Sequence, residues 1–235
     1  LSRNTTAESL DLQNLFARAR DNKLPYVTME VSSQAYKLDR VWGIDYDYGV
    51  FLNIGDDHVS PHEHPTKEDY FNCKLELIKN SKIAIICKST DMFEEVYKAA
   101  KEYSKEVYTF GIEDEDCDFE AINIKKEISG FSFIVKENRT NQRYTYNLIQ
   151  EGRFNIENAL GAICIARVIG VKHEVIAKAL ENFTVQGRMN AIWVKGVKVI
   201  VDYAHNGMSF EALFKSLKED YPNAPIWVLT GIGGA

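Results

Sequence analysis

No apolar run in this chain approaches the roughly 20 residues that a membrane-spanning helix needs, and no signal-peptide pattern opens it. A membrane is therefore not an expected partner. Cys73, Cys87, Cys117 and Cys164 stand far apart with no C-x-x-C pair, which excludes a zinc ribbon and a dithiol redox motif and fits the reducing cytoplasm. Basic clusters are missing as well: the formal charge is -6 and no run of Lys and Arg occurs, so there is no field to hold a nucleic-acid backbone. Nothing reads G-x-x-x-x-G-K-[ST], so no phosphate-cradling loop is written here. Internal repeats and low-complexity segments are also absent.

What is present is enough apolar residue, 45% of 235, for one full domain and part of another. The first residue is Leu1 rather than methionine, which leads us to expect further chain upstream. Thr5 and Glu8 stand at capping-box spacing before Leu12, Leu15, Phe16 and Ala19, predicting a helix to about Asn22. Buried strands are expected at Tyr26 to Val31 and Tyr48 to Ile54, with a short helix at Gln34 to Val41 between them. Helix Lys67 to Lys79, strand Ile83 to Cys87, helix Met92 to Tyr103 and strand Val107 to Phe110 continue the alternation. The fold class is α/β: a mostly parallel sheet flanked by helices on both faces. Between Asp118 and Leu148 the period changes to that of antiparallel hairpins, with turns at Ser129-Gly130 and Asn138 to Asn141. Helices return at Asn155 to Gly170 and Glu174 to Phe183. A strand pair, a helix Ser209 to Tyr221 and a strand from Pro225 follow. We place a domain boundary near Gly187, giving units 1–187 and 188–235, the second cut short.

The stretch "FLNIGDDHVSPHEHPTKEDYFNCK" gathers three of the five histidines behind an apolar run. Ligands of parallel sheets sit outside the carboxyl ends of the strands, and there Glu30 with Ser32-Ser33 and then Asp56, Asp57 and His58 close the first two strands. Acidic oxygens with an imidazole suit Mg²⁺; helix capping and solvated acids account for the same residues singly. His58, His62 and His64 are alternatively a zinc set, although His62 and His64 lie in the loop "PHEHP" and read as solvated. Lys74 borders the Phe71, Leu75, Ile78 stripe, where a lysine commonly lays its stem on the core and reaches water. Asn155 is placed as an N-cap, with Asn158 three residues on, and Asp202, His205 and Asn206 follow directly after a strand.

Taken together, "NTT", "MEVSSQAYKLDRV", "FLNIGDDH" running to "DYFNCK", "GRFNIENALGA", "GRMN" and "VDYAHNG" resemble the Mur ligase family along essentially the whole chain, in the family's order, and within it the MurE type. The resemblance implies a central ATPase domain without its P-loop segment and the opening of a Rossmann-like C-terminal domain. It implies ATP and Mg²⁺ as cofactors, the metal at up to two sites, with Glu30 and His58 as ligands and Lys74 carried as a carbamate. Asn4, Thr5, Thr6, Ser32 and Arg40 then contact a UDP-N-acetylmuramoyl-dipeptide. Asn155 and Asn158 lie near adenine, and Arg188, Asp202 and His205 face the nucleotide. Where the family carries a glutamine two residues before the arginine, this chain has Leu38. The activity implied is addition of a third amino acid through an acyl phosphate, by a cytoplasmic monomer. "SPHEHPT" resembles the lysine-adding branch more than the diaminopimelate-adding one. The rival readings are a silent UDP-sugar binding module, a zinc hydrolase, and a folylpolyglutamate or cyanophycin synthetase-like ligase.

Overall fold

A computed structural model describes residues 4–55 and 58–231. In chain order it contains α1 (Ser9–Asp21), α2 (Ser33–Lys37), β1 (Tyr46–Phe51), α3 (Lys67–Lys79), β2 (Ser81–Cys87), α4 (Phe93–Tyr103), β3 (Glu106–Ile112), β4 (Phe119–Lys126), β5 (Phe131–Glu137) and β6 (Gln142–Leu148). These are followed by α5 (Phe154–Val168), α6 (His173–Leu180), β7 (Asn190–Val194), β8 (Val197–Val201) and α7 (Gly207–Asp220). The six strands β1 to β6 form one sheet in sequence order. Pairing is parallel from β1 to β4 and antiparallel from β4 to β6.

Strand alternation splits the core in two. Successive side chains of β2 point to opposite faces, so Ala84 and Ile86 meet α3 and α4, whereas Ile85 and Cys87 meet α5. On the α5 face the helix comes close to the sheet through Gly161. A Cβ there would stand 3.1 Å from Leu52 and 3.2 Å from Phe110, so only glycine allows this approach without displacement.

Parallel neighbours usually need a crossover of a dozen or more residues, yet β3 and β4 are joined by the loop 113–118 alone. They overlap only from Phe110↔Phe119 to Ile112↔Ala121. The Asp118 carboxylate fastens the loop. It accepts from Thr109 N at 2.8 Å and Thr109 Oγ1 at 3.2 Å, and from Arg139 Nε at 2.6 Å.

Two expected strands are not formed. Among the described residues neither Tyr26 to Val31 nor residues 225–231 form or pair with a strand, and the rest of the second run lies outside them. Tyr26 stands at 63% exposure and Trp227 at 92%, whereas Met29 and Val31 pack partly buried against Leu12 and Val41. An apolar run becomes a strand only where a ladder partner takes up its backbone groups. The expected strand at Tyr48 to Ile54 is β1, shifted to Tyr46–Phe51. Nor does a capping box start α1: Glu8 occupies the N-cap position without a side-chain cap bond. Among the described residues no helix is long and apolar enough to cross a membrane, and the four cysteines are free thiols.

Candidate functional site

The first group of candidate residues gathers where the chain leaves β1 and enters α2 and α3. Thr6 is 1% exposed and joins the amino-terminal segment to the approach to α2. Its hydroxyl donates to the Glu30 carbonyl at 3.0 Å, accepts from the Ser32 backbone N–H at 2.9 Å, and lies 3.3 Å from Ser32 Oγ. Ser32 in turn caps α2, accepting from Ala35 N at 3.2 Å. Asn4 and Arg40 converge on one acceptor, Glu8 Oε1, at 2.9 and 3.0 Å. The Arg40 side chain is only 12% exposed, and its Nε is buried without a hydrogen-bond partner. A mostly exposed carboxylate thus holds a mostly buried guanidinium. Thr5 and the Glu30 side chain are exposed, and Asp56 and Asp57 lie outside the described residues.

Lys74 is partly buried on α3, with Nζ 3.5 Å from the Tyr70 hydroxyl and above the rings of Phe51 and Tyr70 at 5.8 and 5.4 Å. It therefore stands at the carboxyl end of β1, facing aromatic rings. His58 takes a positive φ of 60°, and its Nδ1 lies 3.2 Å from Glu63 Oε2. The three histidines do not converge as a zinc set. His62 is exposed, whereas His64, expected to be solvated, is fully buried with both ring nitrogens engaged. His64 Nδ1 is 2.6 Å from Asp69 Oδ2 and Nε2 is 2.9 Å from Ser33 Oγ. A loop histidine is buried here because protein partners replace both of its waters.

His64, Asp69 and Cys73 are the only trio of potential metal donors found close together among the described residues. Asp69 already accepts from Lys37 Nζ at 2.7 Å, and that bond followed by the one from His64 holds its carboxyl below the usual range. Burial, with Asp69 nearby, raises the Cys73 thiol away from the thiolate that a metal would need.

The second group lies at the start of α5 and on the β7–β8 unit. Asn155 is not the N-cap, because Arg153 takes that place and α5 starts one residue before Asn155. The buried Asn155 amide donates to the Glu151 carbonyl at 2.6 Å, and its oxygen accepts from Asn158 Nδ2 at 3.1 Å. Asp202 accepts from the backbone of Met189, beside Arg188, at 2.9 Å and from Ala204 N at 2.8 Å. The Arg188 guanidinium covers the Tyr203 ring at 4.6 Å, and Tyr203 is tilted on His205 at 5.2 Å. Gly55 brings the two groups close: a Cβ on it would meet Met208 Sδ of α7 at 2.6 Å, so the loop after β1 lies against the start of α7.

Sequence reasoning missed a buried ionic network that ties the approach to α5 to β8 and the end of α7. Glu151, 6% exposed, is held by Lys198 Nζ at 2.7 Å and Lys126 Nζ at 3.2 Å, with the Tyr221 hydroxyl at 3.4 Å. Tyr221 also accepts a short hydrogen bond from Lys198, and Asp220 pairs with Lys126 at 2.9 Å. Burial alone would raise the Glu151 carboxyl; the hydrogen bond from Lys198 and the two lysine charges outweigh it and hold the group low. Its partners are far away in sequence, so no local motif points to it.

The Mur ligase middle domain model matches residues 1–166, and the model of the Mur ligase glutamate ligase domain matches residues 187–235. The UDP-N-acetylmuramyl-tripeptide synthetase of Lactobacillus delbrueckii subsp. bulgaricus is 38% identical over 98% of this chain and 48% of its own length. The UDP-N-acetylmuramoyl-L-alanyl-D-glutamate--L-lysine ligase of Streptococcus agalactiae is 40% identical over 97% of this chain and 45% of its own. The chain thus spans about half the length of these curated relatives. Among solved structures, a UDP-N-acetylmuramoyl-L-alanyl-D-glutamate--2,6-diaminopimelate ligase superposes with a TM-score of 0.77 at 23% identity, over 91% of this chain and 44% of that one. MurF from Acinetobacter baumannii superposes at 0.63 with 25% identity, over 73% of this chain and 37% of that one. With the middle-domain model covering more than half of it, the chain belongs to the Mur ligase family.

Proposed function

We propose that the protein of which this chain is part is a MurE-type ligase. It joins an amino acid, L-lysine in preference to meso-diaminopimelate, to UDP-N-acetylmuramoyl-L-alanyl-D-glutamate at the expense of ATP, in the cytoplasm. The observation that carries this reading is the match of nearly the whole chain to a tripeptide synthetase and to a lysine-adding ligase. The preference for lysine also has the "SPHEHPT" insertion behind it. Residues 1–187 form the central domain in this reading and 188–235 the opening of the C-terminal one.

The reaction is amide formation in two steps. A carboxylate of the dipeptide attacks the γ-phosphate of ATP, expelling ADP and becoming an acyl phosphate, and the incoming amine then displaces phosphate and gives up a proton. Thr6 and Ser32, locked together by their hydroxyls, present the amino-terminal corner to the UDP-muramoyl group alongside Asn4 and Thr5. Arg40 exchanges Glu8 for an oxyanion of that substrate, for which its fork of donors is suited. Asn155 and Asn158, fixed at the first turn of α5, lie towards the adenine, and Arg188, Asp202 and His205 face the nucleotide from the second unit.

In this reading Glu30, His58 and Lys74 would hold the cation. Glu30 offers an exposed carboxylate and His58 an imidazole, and Lys74 adds two oxygens if its amine is carried as a carbamate. When bound, Mg²⁺ neutralises charge on phosphate and carboxylate oxygens. Lys74 Nζ lies above the rings of Phe51 and Tyr70 at the carboxyl end of β1, the rim on which this reading places the cation. The test is phosphate release by the intact protein: we expect it only when UDP-muramoyl-dipeptide and an amino acid are both present. Release with neither would refute the reading.

A further inference from the structure

We infer that His64 is a positioning residue that holds the two halves of the first corner at a fixed separation. The inference rests on the ligase reading above. His64 lies in the loop between β1 and α3, yet it touches two helices besides its own loop. Nε2 meets Ser33 Oγ at the start of α2, and Nδ1 meets Asp69 in the first turn of α3. Its backbone N–H donates to the His58 carbonyl at 3.2 Å. Ser33 and Lys37 lie four residues apart, on one face of α2, and both reach Asp69: Lys37 directly at 2.7 Å, Ser33 through the imidazole. A parallel strap runs beside it, Gln34 Nε2 donating to Glu63 Oε1 at 3.1 Å while Glu63 Oε2 meets His58 Nδ1 at 3.2 Å.

The consequence is geometric. Ser32 directly precedes Ser33 and Glu30 lies three residues before it, Lys74 lies on α3 beyond Asp69, and His58 is tied to the same loop. One imidazole therefore sets the spacing among the residues assigned to substrate and metal. Ser33, His64 and Asp69 also have the connectivity of a nucleophilic triad, but the imidazole is 0% exposed, Ser33 is 7% exposed, and Asp69 is shared with Lys37. No substrate atom reaches that histidine, so the array is a staple.

Two substitutions cut the same bond from opposite sides in the intact ligase. Ser33→Ala removes the hydroxyl, and His64→Asn keeps a donor for Asp69 while losing the reach to Ser33. Each should lower kcat/KM for the UDP substrate roughly tenfold, the scale of one buried hydrogen bond, through both KM and kcat. KM for ATP should change less than KM for the UDP substrate, because the adenine residues lie on α5, across the sheet from α3. The double variant should be no worse than either single one. A fall in kcat alone, in proportion to the folded fraction, would make His64 merely structural and overturn the proposal, as would additive losses. An intact wild-type protein without ligase activity would overturn the functional reading and the positioning role with it. The staple is read independently of turnover by proton NMR of the intact protein. The short Nδ1–H contact to Asp69 should give a strongly deshielded, slowly exchanging imidazole proton that disappears in His64→Ala. Its absence from the wild-type spectrum would overturn the geometry whatever the enzyme assay gives.

Discussion

Replacing Glu151 with glutamine removes one negative charge from between two lysines and leaves its shape. In the wild type the side chain is 7% exposed, Lys198 is 13% exposed and Lys126 is 31% exposed. Taking one partner from a buried ion pair costs ~3–5 kcal/mol, because the other charge stays desolvated and unpaired. Lys126 is open enough to recover water, and glutamine keeps one acceptor oxygen for Lys198, so we expect a loss of about 2–3 kcal/mol at neutral pH. The loss should depend on pH in a defined direction. The folded-state carboxyl is held low, so its contribution is complete above the unfolded glutamate value of about 4.3 and vanishes as pH falls through the lower folded value. Urea unfolding followed by circular dichroism should show a constant gap between wild type and Glu151→Gln from pH 6 to 8 and a closing gap below about pH 4. A gap under about 0.5 kcal/mol at pH 7, the scale of an ordinary surface substitution, would refute the reasoning, as would one that widens in acid.

Two further perturbations address the first corner in the intact protein. Lys74→Ala should fold normally, since Phe71, Leu75 and Ile78 keep the core side of α3, yet lose nearly all ligase activity, with partial recovery when small carboxylic acids supply the missing oxygens. A fully active variant would remove Lys74 from the chemistry. Arg40→Ala should raise KM for the UDP substrate well beyond that for ATP, because the guanidinium now held by Glu8 is the group assigned to the substrate oxyanion. Equal KM values for mutant and wild type would take Arg40 out of the site.

Elements whose hydrophobic period is local were legible in the sequence. Helix α3 occupies the predicted span Lys67–Lys79, with Thr66 capping it, and β4 to β6 appear where alternation places them, because each carries its own pattern of inward and outward residues. Tyr26 to Val31 misled because an apolar run shows hydrophobicity but not a pairing partner. His64 misled for the opposite reason: histidine between two prolines looks solvated until Ser33 and Asp69, from different helices, take up its nitrogens. The Glu151 network was invisible because its lysines and tyrosine lie 25, 47 and 70 positions away. Pattern alone singled out Glu30, His58, Lys74, Asn155, Asp202 and His205, whereas their roles, and Asn4, Thr5, Thr6, Arg40 and Arg188 altogether, came from the family resemblance. Asn155 shows the difference: pattern alone made it a helix cap, but the structure buries it inside the first turn, bonded to Asn158.

The measurement that bears most directly on the central claim follows one oxygen atom. The intact protein is given ATP, L-lysine and UDP-N-acetylmuramoyl-dipeptide whose carboxylates carry heavy oxygen, and product and phosphate are weighed by mass spectrometry. Ligation through an acyl phosphate predicts a product heavier by one lysine less water, with one heavy oxygen delivered to each phosphate released. Phosphate without the label, or nucleotide turnover with no lysine added to the UDP substrate, would contradict the account.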